Sequence, residues 1–175
     1  MARKTDIEWT EATWNPVTGC TKISKGCRNC YAERMAKRLA GRYGYDKEDP
    51  FKVTLHPNRI AQPIGWRKKN TIFVCSMGDL FHEDVPDDYI VQVFDVMRAC
   101  AHHIFQVLTK RSERLSQIDH IIGDWPENVW AGVTIESSEY KSRIDHLRKV
   151  PAKVRYLSCE PLLDNLGPLS ISCID

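Results

Sequence analysis

The sequence predicts an α/β fold in which strands and helices alternate around a parallel sheet. Four apolar, β-branched runs follow one another in the second part of the chain, and an amphipathic helical pattern follows each of the first three. Alternation of this kind is typical of βαβ units, whose right-handed crossovers give either a (β/α) barrel or an open doubly wound sheet. The chain has 175 residues, which is enough for one domain with a sizeable core.

We therefore expect residues 1–175 to form a single domain with three parts. Residues 1–40 contain an extended entry segment, a cysteine-rich loop and a helix. Residues 41–70 are rich in glycine and proline, and we expect an irregular insertion there with a short helix around residues 57–64. Residues 71–175 contain the βα repeats.

The entry segment contains two tryptophans close together, Trp9 and Trp14. The favoured interpretation is that they form a lid over the core. The alternative is that they form a wall of a site beside the cysteines.

The cysteine-rich loop contains Cys20, Cys27 and Cys30, with the spacing C-x6-C-x2-C. A glycine before each of the first two cysteines allows tight turns. Three thiolates directed at one centre can hold zinc together with a fourth ligand, or a cubane cluster with one iron left open. Structural zinc sites usually contain a second C-x2-C pair or a pair of histidines, and this chain has one C-x2-C, so the ligand count favours iron–sulfur.

A remote fourth ligand stays open as an alternative. Cys75 and Cys159 each follow the end of a predicted strand, although their apolar strand contexts favour packing.

A helix is predicted from the last cysteine of the loop to about residue 40. Tyr31, Met35 and Leu39 recur every four residues, Ala32 and Ala36 lie beside them, and Gly41 supplies the stop. Two of the three cysteines lie at the start of this helix, where the positive end of the helix dipole favours thiolates.

The repeats are expected at the following positions. The strands are residues 71–75, 103–108, 129–133 and 154–157, and the helices are residues 87–101, 112–122 and 138–149. Ser137 or Ser138 is expected to cap the last helix.

Each predicted strand ends in a hydroxyl residue followed by a charged one. The pairs are Ser76 and Asp79, Thr109 and Lys110, Thr134 and Glu136, and Ser158 and Glu160. In barrels and in open α/β sheets, ligands bind at the carboxyl ends of the strands. Loops are polar in general, but a ligand site explains better than loop polarity why four successive strands share this ending. No glycine-rich phosphate fingerprint follows any strand, which disfavours a nucleotide dehydrogenase or a P-loop enzyme.

The composition sets the remaining bounds. No apolar run approaches the roughly 20 residues that span a bilayer, and residues 1–6 lack the apolar core of a secretory signal, so we expect no membrane segment and a cytoplasmic location. Seven cysteines is an odd number, and thiols in that compartment stay reduced, so a disulfide framework is not expected.

The net charge of +2 decides little, but basic residues cluster locally. The clusters are Arg28, Arg34, Lys37, Arg38 and Arg42, and then Arg67-Lys68-Lys69. Such patches can bind nucleic acid phosphates. The alternative is a solvated helix face balanced by Glu33 and Glu48.

Several blocks of the sequence resemble the phage Gp37/Gp68 family, a domain of unknown function also found in bacteria. They are Ile7–Cys20, Cys27–Glu33, Ser76–Phe81, Leu108–Arg111 and Leu157–Leu162. The likeness covers nearly the whole chain. That family is in turn similar to radical S-adenosylmethionine enzymes, whose fold is a partial (β/α) barrel with a three-cysteine loop near its amino end.

The resemblance implies a site and a chemistry. Cys20, Cys27 and Cys30 would ligate a [4Fe–4S] cluster whose fourth iron chelates S-adenosylmethionine. The loop of Ser76, Met77, Gly78 and Asp79 would stand near the methionine amino group, and Thr109, Thr134 and Glu136 would face the ribose or the substrate. Reductive cleavage would yield a 5′-deoxyadenosyl radical. The sequence gives no substrate, and the candidate is a nucleic acid or a nucleotide in a phage setting.

The sequence departs from the radical-enzyme pattern in several places. The usual first gap is three residues rather than six, the usual aromatic before the last cysteine is Asn29 here, and the Gly-Gly-Glu stretch is missing. Family members continue with another glycine-rich strand, whereas this chain ends at Asp175, so we expect a barrel shortened at its C-terminus. The alternative function is a non-catalytic zinc or iron–sulfur module that binds nucleic acid or a partner protein.

Overall fold

The computed structural model describes residues 5–175, so residues 1–4, on which part of the signal-peptide prediction rests, lie outside the described residues. The strands are β1 Ala12–Trp14, β2 Val17–Thr18, β3 Thr54–Leu55, β4 Thr71–Val74, β5 Ile104–Thr109, β6 Val129–Thr134 and β7 Arg155–Ser158. One parallel sheet has the order β1-β4-β5-β6-β7, and β2 and β3 form a short antiparallel pair. Because the strand order follows the chain without reversal, the sheet is that of a partial (β/α) barrel rather than a doubly wound fold.

Strand β1 lies within the segment that was expected to be merely extended. It pairs in parallel with β4, and Ala12 lies opposite Ile72. A strand of three residues is too short to show a period in the sequence. Its presence means that the cysteine loop follows the first strand of the barrel, at the carboxyl edge of the sheet.

The helices lie where they were predicted, but there are more of them than predicted. They are α1 Tyr31–Arg38, α2 Pro57–Ile60, α3 Asp87–Ala99, α4 Ser112–Leu115, α5 Asp119–Ile122 and α6 Ser142–Lys149. The helix predicted over residues 112–122 is two short helices. The Ser116 hydroxyl donates to the carbonyl of Glu113, which is a local bond that competes with helix continuation.

The start of the helix predicted over residues 138–149 is also different. Ser138–Tyr140 forms a 3₁₀ turn, and neither serine side chain caps it. Instead, the Ser138 backbone N–H donates to the Asp164 carboxylate at 2.9 Å. The cap therefore comes from a residue that is distant in sequence, which a local pattern does not reveal.

The buried residues of α1 are the two alanines of the predicted pattern rather than its large apolar residues. Ala32 and Ala36 are 4% and 0% exposed, whereas Tyr31 and Met35 are 51% and 41% exposed. Both pairs have the same four-residue spacing, and the small alanines allow the helix to approach its neighbours closely. Two large apolar side chains of α1 therefore face solvent.

The core lies between the outer face of the sheet and the helices. Alternate residues of β4, β5 and β6, among them Ile72, Val107 and Val133, form one buried cluster with Phe94 of α3 and Leu147 of α6. Side chains of a strand alternate between its two faces. The strand residues that alternate with these core residues therefore line the inside of the barrel. Within residues 5–175, no helix combines the length and the apolar character needed to cross a membrane.

Tyr156 closes part of the barrel interior. A Cβ atom added to Gly132 would lie 2.3 Å from the Cζ atom of Tyr156, so the tyrosine ring lies directly on the glycine backbone of the neighbouring strand. The Tyr156 hydroxyl donates to the carbonyl of Val107 at 3.1 Å. Burial raises the pKa of Tyr156, and the phenol therefore stays neutral.

His56 makes the stability of the fold depend on pH. It is 5% exposed, its Nε2 atom lies 2.7 Å from the hydroxyl of Thr18, and the buried Arg59 and the Tyr89 hydroxyl are its neighbours. Burial, and then the charge of Arg59, lower the pKa of His56 to about 4. The unfolded chain binds the proton near pH 6.5, so this contribution to stability is present above about pH 6.5 and is lost as the pH falls towards about 4.

Between about pH 7 and about pH 5, we expect this single group to lower the free energy of unfolding by about 2 kcal/mol. Urea denaturation at the two pH values measures it. In His56→Gln the drop should be smaller by that amount, whereas His102→Gln, at an exposed histidine, should keep it. Equal drops in the two variants would contradict the assignment to His56.

Candidate cluster and cofactor site

A cavity of about 790 Å³ opens at the carboxyl ends of the parallel strands. All three cysteines of the loop line it. The strand-end residues that also line it are Ser76, Gly78, Asp79, Thr109, Lys110, Thr134, Ser158 and Glu160. Met77 and Glu136 are the two predicted site residues that do not. The loop and the strand ends, which are far apart in sequence, therefore share one space.

Backbone contacts fix the start of the cysteine loop to the loop after β4. The Gly19 N–H donates to the carbonyl of Met77 at 2.9 Å, and Gly19 and Gly78 form an isolated parallel bridge. A Cβ atom on Gly78 would lie 2.9 Å from the Gly19 carbonyl oxygen. Met77 thus contributes backbone to this contact, and its N–H is bound by Asn15 at 2.8 Å. The cysteine loop therefore lies too close to Gly78 for a side chain there, whereas a side chain at Gly19 is excluded by the backbone of Lys52.

The rest of the loop leads into α1. Lys25–Cys27 forms a 3₁₀ turn, and the Cys27 N–H donates to the carbonyl of Ser24 at 3.1 Å. Cys30 is the residue directly before α1, as predicted, and its carbonyl accepts from Arg34 at 3.3 Å. The helix start and the turn therefore hold the second and third thiols.

The thiols differ in their electrostatic surroundings. Burial, and then the carboxylate of Asp79, raise the pKa of Cys20 to about 11, although the Arg111 guanidinium opposes them. Burial also acts to raise the pKa of Cys27, but hydrogen bonds from Ser24 and from the backbone, helped by Lys110, lower it overall. A metal that binds Cys20 therefore has to displace a firmly held proton.

Arg111 is a site residue that the sequence reasoning left out. Its Nη1 atom lies 3.3 Å from the sulfur of Cys20 and 3.4 Å from the Asp79 carboxylate. Its Nε atom donates to Glu83 at 2.8 Å, and its Nη2 atom donates to the Thr21 hydroxyl at 2.8 Å. The signal was available, because Arg111 directly follows the strand-end pair of β5. It supplies positive charge beside the first thiol.

Thr109 and Asp79 form a buried pair at the floor of the cavity. The Thr109 hydroxyl lies 2.8 Å from both carboxylate oxygens of Asp79, and the same hydroxyl accepts from the Arg111 N–H at 2.8 Å. Asp79 also accepts from the Phe81 N–H at 2.9 Å. The predicted ribose-facing hydroxyl is therefore already occupied in orienting Asp79.

We expect Thr109→Val to destabilise the fold by about 1–3 kcal/mol, because it removes a hydrogen bond to the buried carboxylate of Asp79 and leaves the Arg111 backbone N–H without its acceptor. Thr54→Val is the matched control, since the Thr54 hydroxyl bonds at the exposed surface, and it should change stability by less than about 0.5 kcal/mol. Chemical denaturation of both variants measures the difference. Equal values would show that the buried network contributes nothing.

Glu136 lies behind the cysteine loop. It is 0% exposed, and its Oε2 atom lies 2.6 Å from Nη1 of Arg143, which also donates to the carbonyl of Thr134. A Cβ atom on Gly26 would lie 2.9 Å from Cγ of Glu136, so the loop packs against this side chain. Glu136 therefore supports the loop from outside the cavity lining.

The two tryptophans of the entry segment have different positions. Trp14 is fully buried, as expected for a residue of the core. Trp9 lines the cavity, and its ring centroid lies 4.7 Å from that of Phe73. Trp14 thus belongs to the core, and Trp9 forms a wall of the cavity beside the cysteines. Tyr31 is a further aromatic residue of the lining, and its hydroxyl donates to the carbonyl of Ser76.

The donor set fits a multi-iron cluster. All seven cysteines are free thiols, and the buried Cys75 also lines the cavity, although burial raises its pKa to about 12. In the part of the chain that is described, no three Cys, His, Asp or Glu side chains converge as a single metal ion requires. Three thiols that line one cavity match in number the protein ligands that a cubane with one open iron would take.

The structure is a partial (β/α) barrel with the fold of spore photoproduct lyase. The chain belongs to the family described as protein of unknown function (DUF5131), whose profile matches residues 4–175. No curated protein matches the sequence.

Solved structures of spore photoproduct lyase are similar to this chain. The lyase complexed with dinucleoside spore photoproduct has a TM-score of 0.66 at 13% identity, and a doubly substituted variant with bound AdoMet and the same dinucleoside has a TM-score of 0.65 at 14% identity. Each match covers 95% of this chain and 50% of the other. The chain therefore spans about half the length of these structures, and at such low identity the likeness concerns the fold.

Proposed function

We propose that this protein is a radical S-adenosylmethionine enzyme in which Cys20, Cys27 and Cys30 ligate a [4Fe–4S] cluster. The observation that carries the proposal is the shared cavity. The three thiols of the loop and the polar ends of four parallel strands line one space, at the edge of the sheet where ligands bind in this class of fold.

The similar structures support the proposal in two respects. One of them contains AdoMet, which is S-adenosylmethionine, and a dinucleoside photoproduct. We propose the same cofactor here, and a nucleic acid or nucleotide as the substrate. The relation to the phage Gp37/Gp68 family and a cytoplasmic location, which keeps the thiols reduced, are parts of the same proposal.

Bound together and given one electron by an external reductant, the cluster and S-adenosylmethionine would supply hydrogen-atom abstraction by a 5′-deoxyadenosyl radical. The residues of the chain orient these groups and exclude water. Lys110 helps to lower the pKa of Cys27, and the Arg111 guanidinium opposes the burial that raises the pKa of Cys20. Trp9 and Phe73 form an apolar wall of the cavity.

The polar residues at the strand ends would bind the polar groups of the cofactor and the substrate. Asp79 is held by Thr109 with its carboxylate fixed at the cavity floor. A fixed carboxylate in this place can accept hydrogen bonds from the ammonium group of the methionine moiety. Ser158 and Glu160, at the end of β7, extend the polar edge toward the substrate side of the cavity.

Metal content and colour test the proposal against a zinc module. Protein purified without oxygen is expected to be brown, with broad visible absorption and about four irons per chain after reconstitution. Colourless protein with one zinc per chain and no iron uptake would contradict the proposal.

A further inference from the structure

The positive charge of this protein is concentrated in one segment. Residues 20–43 contain seven lysine and arginine residues and one acidic residue, Glu33. The whole chain has 25 basic and 23 acidic residues, so the remainder, with 18 basic and 22 acidic ones, is net negative. The modest overall charge therefore hides a strongly basic segment that contains the cysteine loop and α1.

The structure exposes this charge together with large apolar side chains. We define the α1 surface as Arg28, Tyr31, Arg34, Met35 and Arg38. The three arginines are exposed, and Tyr31 and Met35 are 51% and 41% exposed. The core of the fold does not use these two apolar residues, because α1 packs through its alanines.

The arginines of the α1 surface are not neutralised by neighbours. Glu33 is already engaged by Lys22 at 2.9 Å and by Lys37 at 2.8 Å. Across residues 5–175, the side chains of Arg28, Arg34 and Arg38 take part in no ion pair, unlike Arg111. Three guanidinium groups are thus available to an anionic partner.

The α1 surface is continuous with the cavity. Tyr31 belongs to both, and the bond from its hydroxyl to the carbonyl of Ser76 fixes its ring at the cavity mouth. Asn29, which precedes the third thiol, also lines the cavity. A partner that lies along α1 therefore reaches the cavity without a gap.

We infer that the α1 surface binds single-stranded nucleic acid and guides one of its bases to the cavity. Guanidinium groups contact phosphates, and an exposed aromatic ring beside them stacks on a base. A base within a duplex cannot reach the interior of a cavity, so an unpaired strand fits better than a duplex. An acidic peptide matches the charge but offers no succession of planar faces to Tyr31.

This inference names the substrate class and rests on the proposed function for its catalytic meaning, whereas the binding itself does not require the cluster. Fluorescence anisotropy with a labelled strand of about ten nucleotides measures the affinity as a function of salt. The probes are single-stranded DNA, single-stranded RNA, duplex DNA and polyglutamate. Tight binding of either single strand supports the inference, and preference for the duplex or for polyglutamate overturns it.

Variants test the surface. The double substitution Arg34→Ala and Arg38→Ala should weaken binding of the single strand and reduce the slope of log K against log salt by about 1.4, about 0.7 for each lost phosphate contact. Lysine at both positions should keep most of the slope. The control is Arg67→Ala with Lys68→Ala, which removes two exposed charges before β4, at the opposite edge of the sheet, and should change little. An unchanged slope in the first variant overturns the inference.

The formation of 5′-deoxyadenosine without nucleic acid separates this inference from the proposed function. The Arg34 and Arg38 variant should form it as the wild type does. Wild-type protein that forms 5′-deoxyadenosine but binds no single strand would overturn the inference alone. Protein that binds the strand but forms no 5′-deoxyadenosine would overturn the proposed function alone.

Discussion

Replacement of Cys27 by alanine is expected to abolish the cluster and, with it, the formation of 5′-deoxyadenosine. Cys27 lines the shared cavity, and hydrogen bonds from Ser24 lower its thiol pKa, so it is prepared to bind metal as a thiolate. Mutation of residues that merely support a ligand already costs about 10–100-fold in metal affinity. We therefore expect the loss of the ligand itself to cost at least about 100-fold.

Iron content, visible absorption and product formation measure this effect. Cys20→Ala and Cys30→Ala should give the same result, because each thiol is expected to bind a different iron. Cys173→Ala is the control, since Cys173 is an exposed free thiol outside the cavity lining, and it should retain the cluster. If the cluster survives all three loop substitutions, the ligand assignment is wrong.

Gly19→Ala is expected to destabilise the protein more than any surface substitution. Gly19 has a φ of +84°, and a Cβ atom there would lie 2.0 Å from the carbonyl oxygen and 2.4 Å from the carbonyl carbon of Lys52. The left-handed backbone alone costs about 1–2 kcal/mol for an L-residue. Because the clash is with backbone, no change of rotamer relieves it, and we expect a total of at least about 3 kcal/mol.

The same substitution should reduce cluster loading, because Gly19 holds the cysteine loop to Met77 and Gly78. Gly65→Ala is the matched control, since nothing lies within 4 Å of an added Cβ atom there. Its change in stability should stay within about 0.5 kcal/mol. A Gly19→Ala protein as stable as this control would show that Gly19 does not lie against the backbone of Lys52.

The alternation of apolar runs and helical periods was enough to predict the parallel sheet. Each of β4, β5, β6 and β7 is a β-branched or aromatic run bounded by polar residues, and each prediction is accurate to about one residue. Strand β1 was missed because its three residues show no period. The apolar pattern of α1 includes both Tyr31 and Met35 and the alanines beside them, and it does not show that close packing selects Ala32 and Ala36.

The sequence was enough to predict where the site lies, but not how its side chains are arranged. The rule that ligands bind at the carboxyl ends of strands identified the edge of the sheet at which the three thiols lie. It gives no side-chain direction, so it could not show that Glu136 packs behind Gly26 or that Met77 contributes backbone. The position of Arg111 after the strand-end pair of β5 is visible in the sequence, but its contacts with Cys20 and Asp79 are visible only in the structure.

The formation of 5′-deoxyadenosine tests the central claim most directly. The protein is reconstituted without oxygen, reduced with dithionite in the presence of S-adenosylmethionine, and analysed for 5′-deoxyadenosine and methionine. The proposed function predicts that both products accumulate with the wild type and not with Cys27→Ala. Wild-type protein that carries a full complement of iron and sulfide, yet forms no more 5′-deoxyadenosine than Cys27→Ala, would contradict it.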